Sequence, residues 1–322
     1  MTTNSVTAKS TASIWAGETG RQLLLMIGLA LTVGGVLPTV FVRNFFMPWG
    51  LALFASGLIV TIPTAIINFT PHLFTLVRRE LGAYFLSPIA YMVLIAMTLL
   101  AGWNYLALLF ELRLPQVQFS GLEDPILQYM GTNIWLIFCL LVLPGIVTMR
   151  LFSEERRAGT LEPLLTAPVT ESEIVVSKFI SGLIFYIILW VPWALFLIGL
   201  YHKVPFDYRP IFSVYLGLFV VGTTFISGGL FFSSLTRNQI ISFILTFAMM
   251  ALFLAVVVLH WLLSEQGYDR KWLEALKFLS YYLQLRDFGL GKVDIRYIVL
   301  HLSITAFFLF GTVKVIESQK WK

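Results

Sequence analysis

Apolar residues run through this chain in long blocks, and polar residues gather in short stretches between them. A helix rises 1.5 Å per residue, so about 20 apolar residues cross the ~30 Å hydrocarbon layer of a bilayer. Eight blocks reach that length: 22–42, 49–69, 87–109, 132–149, 179–200, 211–235, 240–263 and 297–315. Trp49, Tyr91, Trp103, Tyr105, Trp135, Trp261 and Tyr297 stand near their ends, where amphipathic rings favour the membrane interface. Residues 1–20 are polar, rich in Ser, Thr and Ala, and lack any period, which predicts a disordered tail. The apolar run after Arg21 continues to Val42 with no small-residue cleavage site after it, so it reads as a span and not as a signal peptide.

Between the second and third blocks, 71–86 is predicted as a helix lying on the membrane. Leu73, Leu76, Val77, Leu81 and Phe85 can share its apolar side while Arg78, Arg79 and Glu80 meet headgroups. Pro88 then breaks it. The alternative is a frayed extension of the third span. The chain therefore divides into a tail (1–20), a two-span module (21–70) and a six-span block (71–322). That block carries a charged link at 151–178 and a second long link at 264–296. No period of 20–50 residues recurs, which excludes a solenoid.

Composition agrees. Of 322 residues, 58% are apolar and 12% charged, against about 25% charged in soluble domains. The expected fold class is an all-α integral membrane protein with eight transmembrane helices. The net charge of +5 sits in loops beside the spans, where it sets topology and does not suggest nucleic acid. Arg21, Arg78, Arg79, Arg150, Arg156, Arg157, Lys178, Arg237, Lys314, Lys320 and Lys322 fall on one side of the membrane. Only Arg43, Arg113, Lys203 and Arg209 occupy the opposite short loops. The asymmetry predicts both termini in the cytoplasm.

The spans hold almost no ionisable groups, whereas ion-coupled transporters and proton pumps need them at depth. His301 is the clearest exception and, with no acidic partner in view, reads as a hydrogen-bonded packing residue. Energy for any transport would then come from a partner ATPase. The chain itself has no GxxxxGK(S/T) loop, no HExxH and no CxxC, and its single Cys139 lies in an apolar run. No cofactor or metal is expected. Ser227 with His260 or His301 is the sole candidate set for an intramembrane protease, but Gly228 and Gly229 beside it are explained more simply as close helix contacts.

The most informative stretch is 151–178. Its first part extends the fourth span as a charged helix, and Gly159 permits a sharp turn. Thr160 can cap a short helix with Glu162 and Pro163 in its first turn, whose Leu161, Leu164 and Leu165 form an apolar knob suited to a groove on a soluble partner. Pro168 stops that helix, and Thr170 with Glu173 forms a capping box that opens the next. An ordinary cytoplasmic hairpin with incidental leucines fits the same pattern. In the short link 233–239, Arg237 is either a second contact with that partner or a topological anchor.

The string FSEERRAGTLEPLLTAPV at 152–169 resembles the coupling segment of ABC-2 type transporter permeases, roughly F-x-E-E-R/K-x-x-G-T-L/I-E-x-L-L-T/S-x-P-V/I. Arg78-Arg79-Glu80-Leu81, Tyr84-Phe85 and Ser87-Pro88 resemble the elbow helix that opens the family's six-span block, and Gly291-Lys292-Val293-Asp294 more weakly resembles the end of its last extracytoplasmic segment. The likeness is nearest to the subgroup of the gliding-motility permease GldF and the copper-site maturation permease NosY. It implies a permease of the bacterial plasma (inner) membrane, most simply an exporter, that works with a cytoplasmic ABC ATPase and a second permease copy or relative. Glu154, Glu155, Gly159, Thr160, Leu161, Glu162, Leu164, Leu165, Pro168 and Arg237 would form the ATPase-coupling surface, with Arg78, Arg79 and Glu80 on the elbow helix. A non-transporting scaffold that drives an extracytoplasmic machine is the alternative, and an extracytoplasmic auxiliary protein would suit either. The module 21–70 departs from the family pattern.

For 264–296, Trp272, Leu273, Leu276, Leu279 and Leu283 recur at helical spacing, and Tyr281 and Tyr282 supply rings suited to an interface. A helical segment resting on the extracytoplasmic surface is expected, loosened by Gly289 and Gly291.

Overall fold

The computed structural model describes residues 26–27, 30, 71–113, 129, 134–166, 169–201, 209–266 and 270–320. The chain forms two compact units, Met1–Arg78 and Arg79–Lys322. The expected spans at 22–42 and 49–69 lie outside the described residues apart from Met26, Ile27 and Ala30, which are helical. Among the described residues there is no strand. Six helical stretches among the described residues are long and apolar enough to cross a membrane: Pro88–Leu112, Trp135–Ala158, Glu171–Leu197, Pro210–Leu235, Gln239–Glu265 and Ile295–Lys320.

Local chemistry explains the elements. Helix α1 (Pro71–Leu86) ends where expected, and α2 (Pro88–Leu112) starts with proline at its first position, where its fixed φ costs nothing and no N–H is missed. Ser87 before it is extended, with φ −87° and ψ 129°. Helix α3 (Ile134–Thr148) passes through four turn residues into α4 (Ser153–Ala158). Helix α5 (Leu161–Thr166) is followed by α6 (Glu171–Leu189). A break at Trp190 separates α6 from α7 (Val191–Tyr201), because Pro192 cannot donate to the carbonyl one turn back.

Helix α8 (Arg209–Leu235) is the central post of the second unit. It packs against α3, α6, α9 (Gln239–Glu265), α11 (Tyr281–Gly289) and α12 (Ile295–Lys320), while α10 (Arg270–Leu279) packs on α9 and α11. Glycine lets α8 come close to its neighbours. A methyl group on Gly229 would stand 2.1 Å from Thr148 Oγ1, and one on Gly222 would stand 2.4 Å from the Tyr186 ring. Helix α2, by contrast, exposes Ile95, Leu99, Trp103 and Phe110 along one side, as a helix facing lipid does.

Two expectations need correction. The segment 264–296 is two helices broken at Ser280, whose hydroxyl accepts from Leu283 N–H and caps the second. Only α10 stays near the surface. Helix α11 sinks into the end of the bundle, burying Tyr281, Gln284, Leu285 and Phe288, with Tyr281 edge-on to Phe225 at 5.1 Å. Tyr297 likewise is no belt residue: it is buried, and its hydroxyl donates to Asp287 at 3.0 Å. Tyrosine suits an interface and a wet-ended core equally well, so residue type alone could not separate the two.

Candidate functional site

The first amides of any helix lack partners inside it. At α4 they are met from α8: Phe152 N–H and Ser153 N–H both donate to Ser233 Oγ, at 3.1 and 3.2 Å. In return Arg156 donates to the Ser234 carbonyl near the C-terminus of α8, where free carbonyls attract a cation. Glu154 and Glu155 occupy the first turn of α4 and Arg156 and Arg157 its last, in agreement with the helix dipole. Gly159 closes the helix with φ +72°, a left-handed conformation that any side chain would strain. Arg150, in the turn before α4, donates to Ser87 Oγ and pairs with Glu154 at 3.1 Å. The charged segment is thus fastened to α8 and to the α1–α2 corner.

Helix α6 begins with the expected capping box. Thr170 Oγ1 accepts from Glu173 N–H at 3.2 Å, and the Glu173 carboxylate accepts from Thr170 N–H at 2.9 Å. Two turns further on, Lys178 is 1% exposed. Its ammonium donates to Glu155 Oε1 at 2.7 Å and to Glu80 Oε2 at 3.1 Å, and lies 5.2 Å from the centre of the Phe152 ring. Arg79 donates to the other Glu80 oxygen at 2.7 Å. Burial by itself would raise the Glu80 carboxyl, but Lys178 and Arg79 outweigh it and hold the group below its ordinary value. Two carboxylates and two cations from α1, α4 and α6 therefore form a neutral knot, the arrangement that buried charge requires. Tyr84 adds a neutral tie from α1, donating to the Val147 carbonyl at 2.8 Å and stacking on Phe185.

The structure gathers Arg79, Glu80 and Glu155 into this knot. Glu154, Gly159 and Thr160 are exposed around the tip of the segment, as are Arg157, Ala158 and Pro163. Leu161 and Leu164 turn inward instead, at 6% and 8% exposure, and join the core of the chain itself. The expected knob is therefore not presented outward by these two leucines; packing within the chain already satisfies them. Glu162 and Leu165 lie on α5 with their side chains outside the described set, and Pro168 lies outside the described residues. Arg237 is exposed beside Arg156, close enough for the like charges to oppose each other. Arg78 is exposed in the first unit. Sequence reasoning missed Lys178 as the centre, taking it for a topological anchor. The available signal was a cation between Val175-Val176 and Phe179-Ile180, too deep in an apolar helix to remain unpaired.

A second polar cluster lies at the opposite end of the bundle. Thr224 Oγ1 is 2.8 Å from His301 Nδ1, and His301 Nε2 is 2.7 Å from Gln284 Oε1. The Gln284 amide donates in turn to the Phe278 carbonyl at 2.6 Å. His301 is thus a hydrogen-bonded packing residue that pins α11 to α8 and α12. Ser227 donates to the Thr224 carbonyl at 2.9 Å, and the imidazole's partners are Thr224 and Gln284, so Ser227 and His301 do not form a nucleophile–base pair. Among the described residues no group of His, Cys, Asp and Glu could hold a metal.

In comparison with known proteins, the family described as ABC-2 family transporter protein matches residues 86–253, more than half of the chain, from the end of α1 to the middle of α9. No curated protein matches.

Proposed function

Since the chain belongs to the ABC-2 family of transporter proteins, multi-pass membrane subunits that are generally not catalytic, we propose that it is a permease that converts ATP hydrolysis on a separate cytoplasmic ATPase into movement of its spans. The observation that carries this reading is the Lys178 knot. A force applied to the tip at 157–160 passes through α4 to Glu155, and from there to α6 and α1 through one buried cation. The ties of α4 to Ser233 and Ser234 carry the same force to α8, and the knot adds the route to α6 and α1. The segment 151–178 then lies in the cytoplasm with both termini, in a bacterial plasma membrane, and the chain works beside a second permease copy or relative. Export is the direction this reading takes, with likeness to the GldF and NosY subgroup in its support. Contact with the ATPase falls to the exposed tip and Arg237, while Leu161 and Leu164 hold the tip to the body.

The test is a double replacement on the exposed tip, Arg157→Glu with Ala158→Asp, in the full chain purified from its own cells after crosslinking. The ABC ATPase is expected to copurify with the natural chain and to be lost with the variant, while insertion and melting temperature stay unchanged. Equal recovery of the ATPase, with equal hydrolysis, would overturn the coupling role.

A further inference from the structure

Counting spans from α2, the link that holds α10 and α11 emerges on the face opposite 151–178. There, Phe278 of α10 and the first turns of α12 border a shallow, open cleft of about 450 Å3, lined by Phe278, Ile295, Arg296, Val299, Leu300 and Ser303. Arg296 is the second residue of the span, and Ser303 lies seven residues deeper, about 10 Å along a helix. The cleft therefore runs from headgroup level into hydrocarbon. Its inner wall is apolar, since the Ser303 hydroxyl is spent on the Val299 carbonyl at 2.7 Å. Its open side is bordered by exposed Ile295, Val299 and Leu302, and Trp272 on α10 is 68% exposed. In a bilayer that side meets acyl chains.

The mouth carries both signs of charge. Arg296 Nη2 and Nε donate to the Asp294 carboxylate at 2.6 and 3.0 Å, on side chains 78% and 28% exposed. Asp294 also accepts Arg296 N–H at 2.9 Å and so stays fixed at the start of α12, while Arg296 keeps further N–H donors for a phosphate beside it. The next cation, Lys277, is engaged with Asp287 at 2.8 Å. A purely anionic headgroup would bring a like charge up to Asp294. A headgroup with a phosphate and an ammonium satisfies both residues. A primary ammonium can donate to the carboxylate, whereas a quaternary one prefers aromatic faces, and Phe278 already has its ring against Tyr297 at 5.8 Å.

We propose that this cleft binds one phospholipid whose zwitterionic headgroup bears a primary ammonium, with an acyl chain along Phe278, Val299 and Leu300, the phosphate on Arg296 and the ammonium on Asp294. The site anchors α10, and through it α11, to the leaflet opposite the charged segment. It depends on the membrane-spanning fold alone and stands whether or not an ATPase couples to the tip.

The full chain, purified in mild detergent, is equilibrated with an equimolar mixture of dioleoyl phosphatidylethanolamine, phosphatidylcholine and phosphatidylglycerol, and retained lipid is counted by native mass spectrometry. Phosphatidylethanolamine is expected to exceed each of the others by about three- to fivefold, the scale of an interfacial ion pair. Asp294→Asn removes its advantage over phosphatidylcholine, Arg296→Gln lowers retention of all three, and Ser303→Trp, which fills the cleft, abolishes the preference. Equal retention of the three lipids by the natural chain means annular lipid only and overturns the proposal, as does a preference for phosphatidylglycerol. If a replacement prevents folding, the competition on the natural chain still decides.

Discussion

The Lys178 ammonium, withdrawn from water, stands 2.7 Å from the partly buried Glu155 carboxylate, twenty-three residues away in sequence. Removing one member of a buried pair leaves the other charge uncompensated, at about 3–5 kcal/mol. Lys178→Met is expected to lower stability by that order, read as a fall in melting temperature in detergent. The triple variant Glu80→Gln, Glu155→Gln, Lys178→Met should recover most of the loss, because no unpaired charge remains. A single variant that melts within a degree of the natural chain would show the knot to be dispensable.

Acid should loosen the same knot at one oxygen pair. In the folded protein the Glu80 carboxyl sits below its ordinary value of 4.5. Between the two values the unfolded chain binds more protons than the folded one. The contribution of Glu80 is therefore complete above about pH 5 and is lost as pH falls through the folded value. Burial pushes the Glu155 carboxyl the other way, so the two carboxylates partly offset each other, and Glu80→Gln should remove part of the fall in melting temperature between about pH 5 and pH 3. An unchanged fall in the variant would assign the acid sensitivity to other carboxylates.

Glycine replacement should sort by neighbour. A β-carbon on Gly222 meets the Tyr186 ring at 2.4 Å, whereas one on Gly82, within α1, meets nothing inside 4 Å. Gly222→Ala is expected to destabilise by about 1–3 kcal/mol through overpacking. Gly82→Ala should be neutral or stabilising by about 0.5–1 kcal/mol through helix propensity. Thermal melts of the two variants side by side check the contrast, and equal shifts would contradict the close contact between α6 and α8.

The capping box predicts a local effect. Thr170→Ala should cost about 1 kcal/mol and fray the first turn of α6. Faster amide exchange at 171–174 with unchanged exchange deeper in the helix is the expected pattern; uniform protection would mean that tertiary contacts alone hold that end.

What the sequence made legible was local chemistry. Pro88 after Ser87, Gly159 at its left-handed turn, and Thr170 with Glu173 each act within four residues, and each appears where their spacing put it. The six spans at 87–315 were legible because hydrocarbon demands length and apolarity. What escaped was pairing at a distance. Glu80 meets Lys178 across ninety-eight residues, and nothing in either neighbourhood names the other. Leu161 and Leu164 show the same limit: an apolar tip can dock outward or fold back, and only the shape of the chain's own core decides. Tyr281 reads as an interface residue because its polar end conceals how deeply the helix sinks.

The buried position of α11 also bears on how the protein is made. The ribosome delivers the chain from its N-terminus, so 281–289 leaves it before 295–320. Gln284 can acquire its imidazole partner, and Asp287 its phenol, only once α12 has been released into the bilayer. Until then α11 is a short amphipathic helix whose Gln284 and Asp287 have only their partners on α10, at the end of an unfinished bundle. Seating it is the closing act of biogenesis, and a chain truncated before residue 295 would present the quality-control machinery with an unsealed protein.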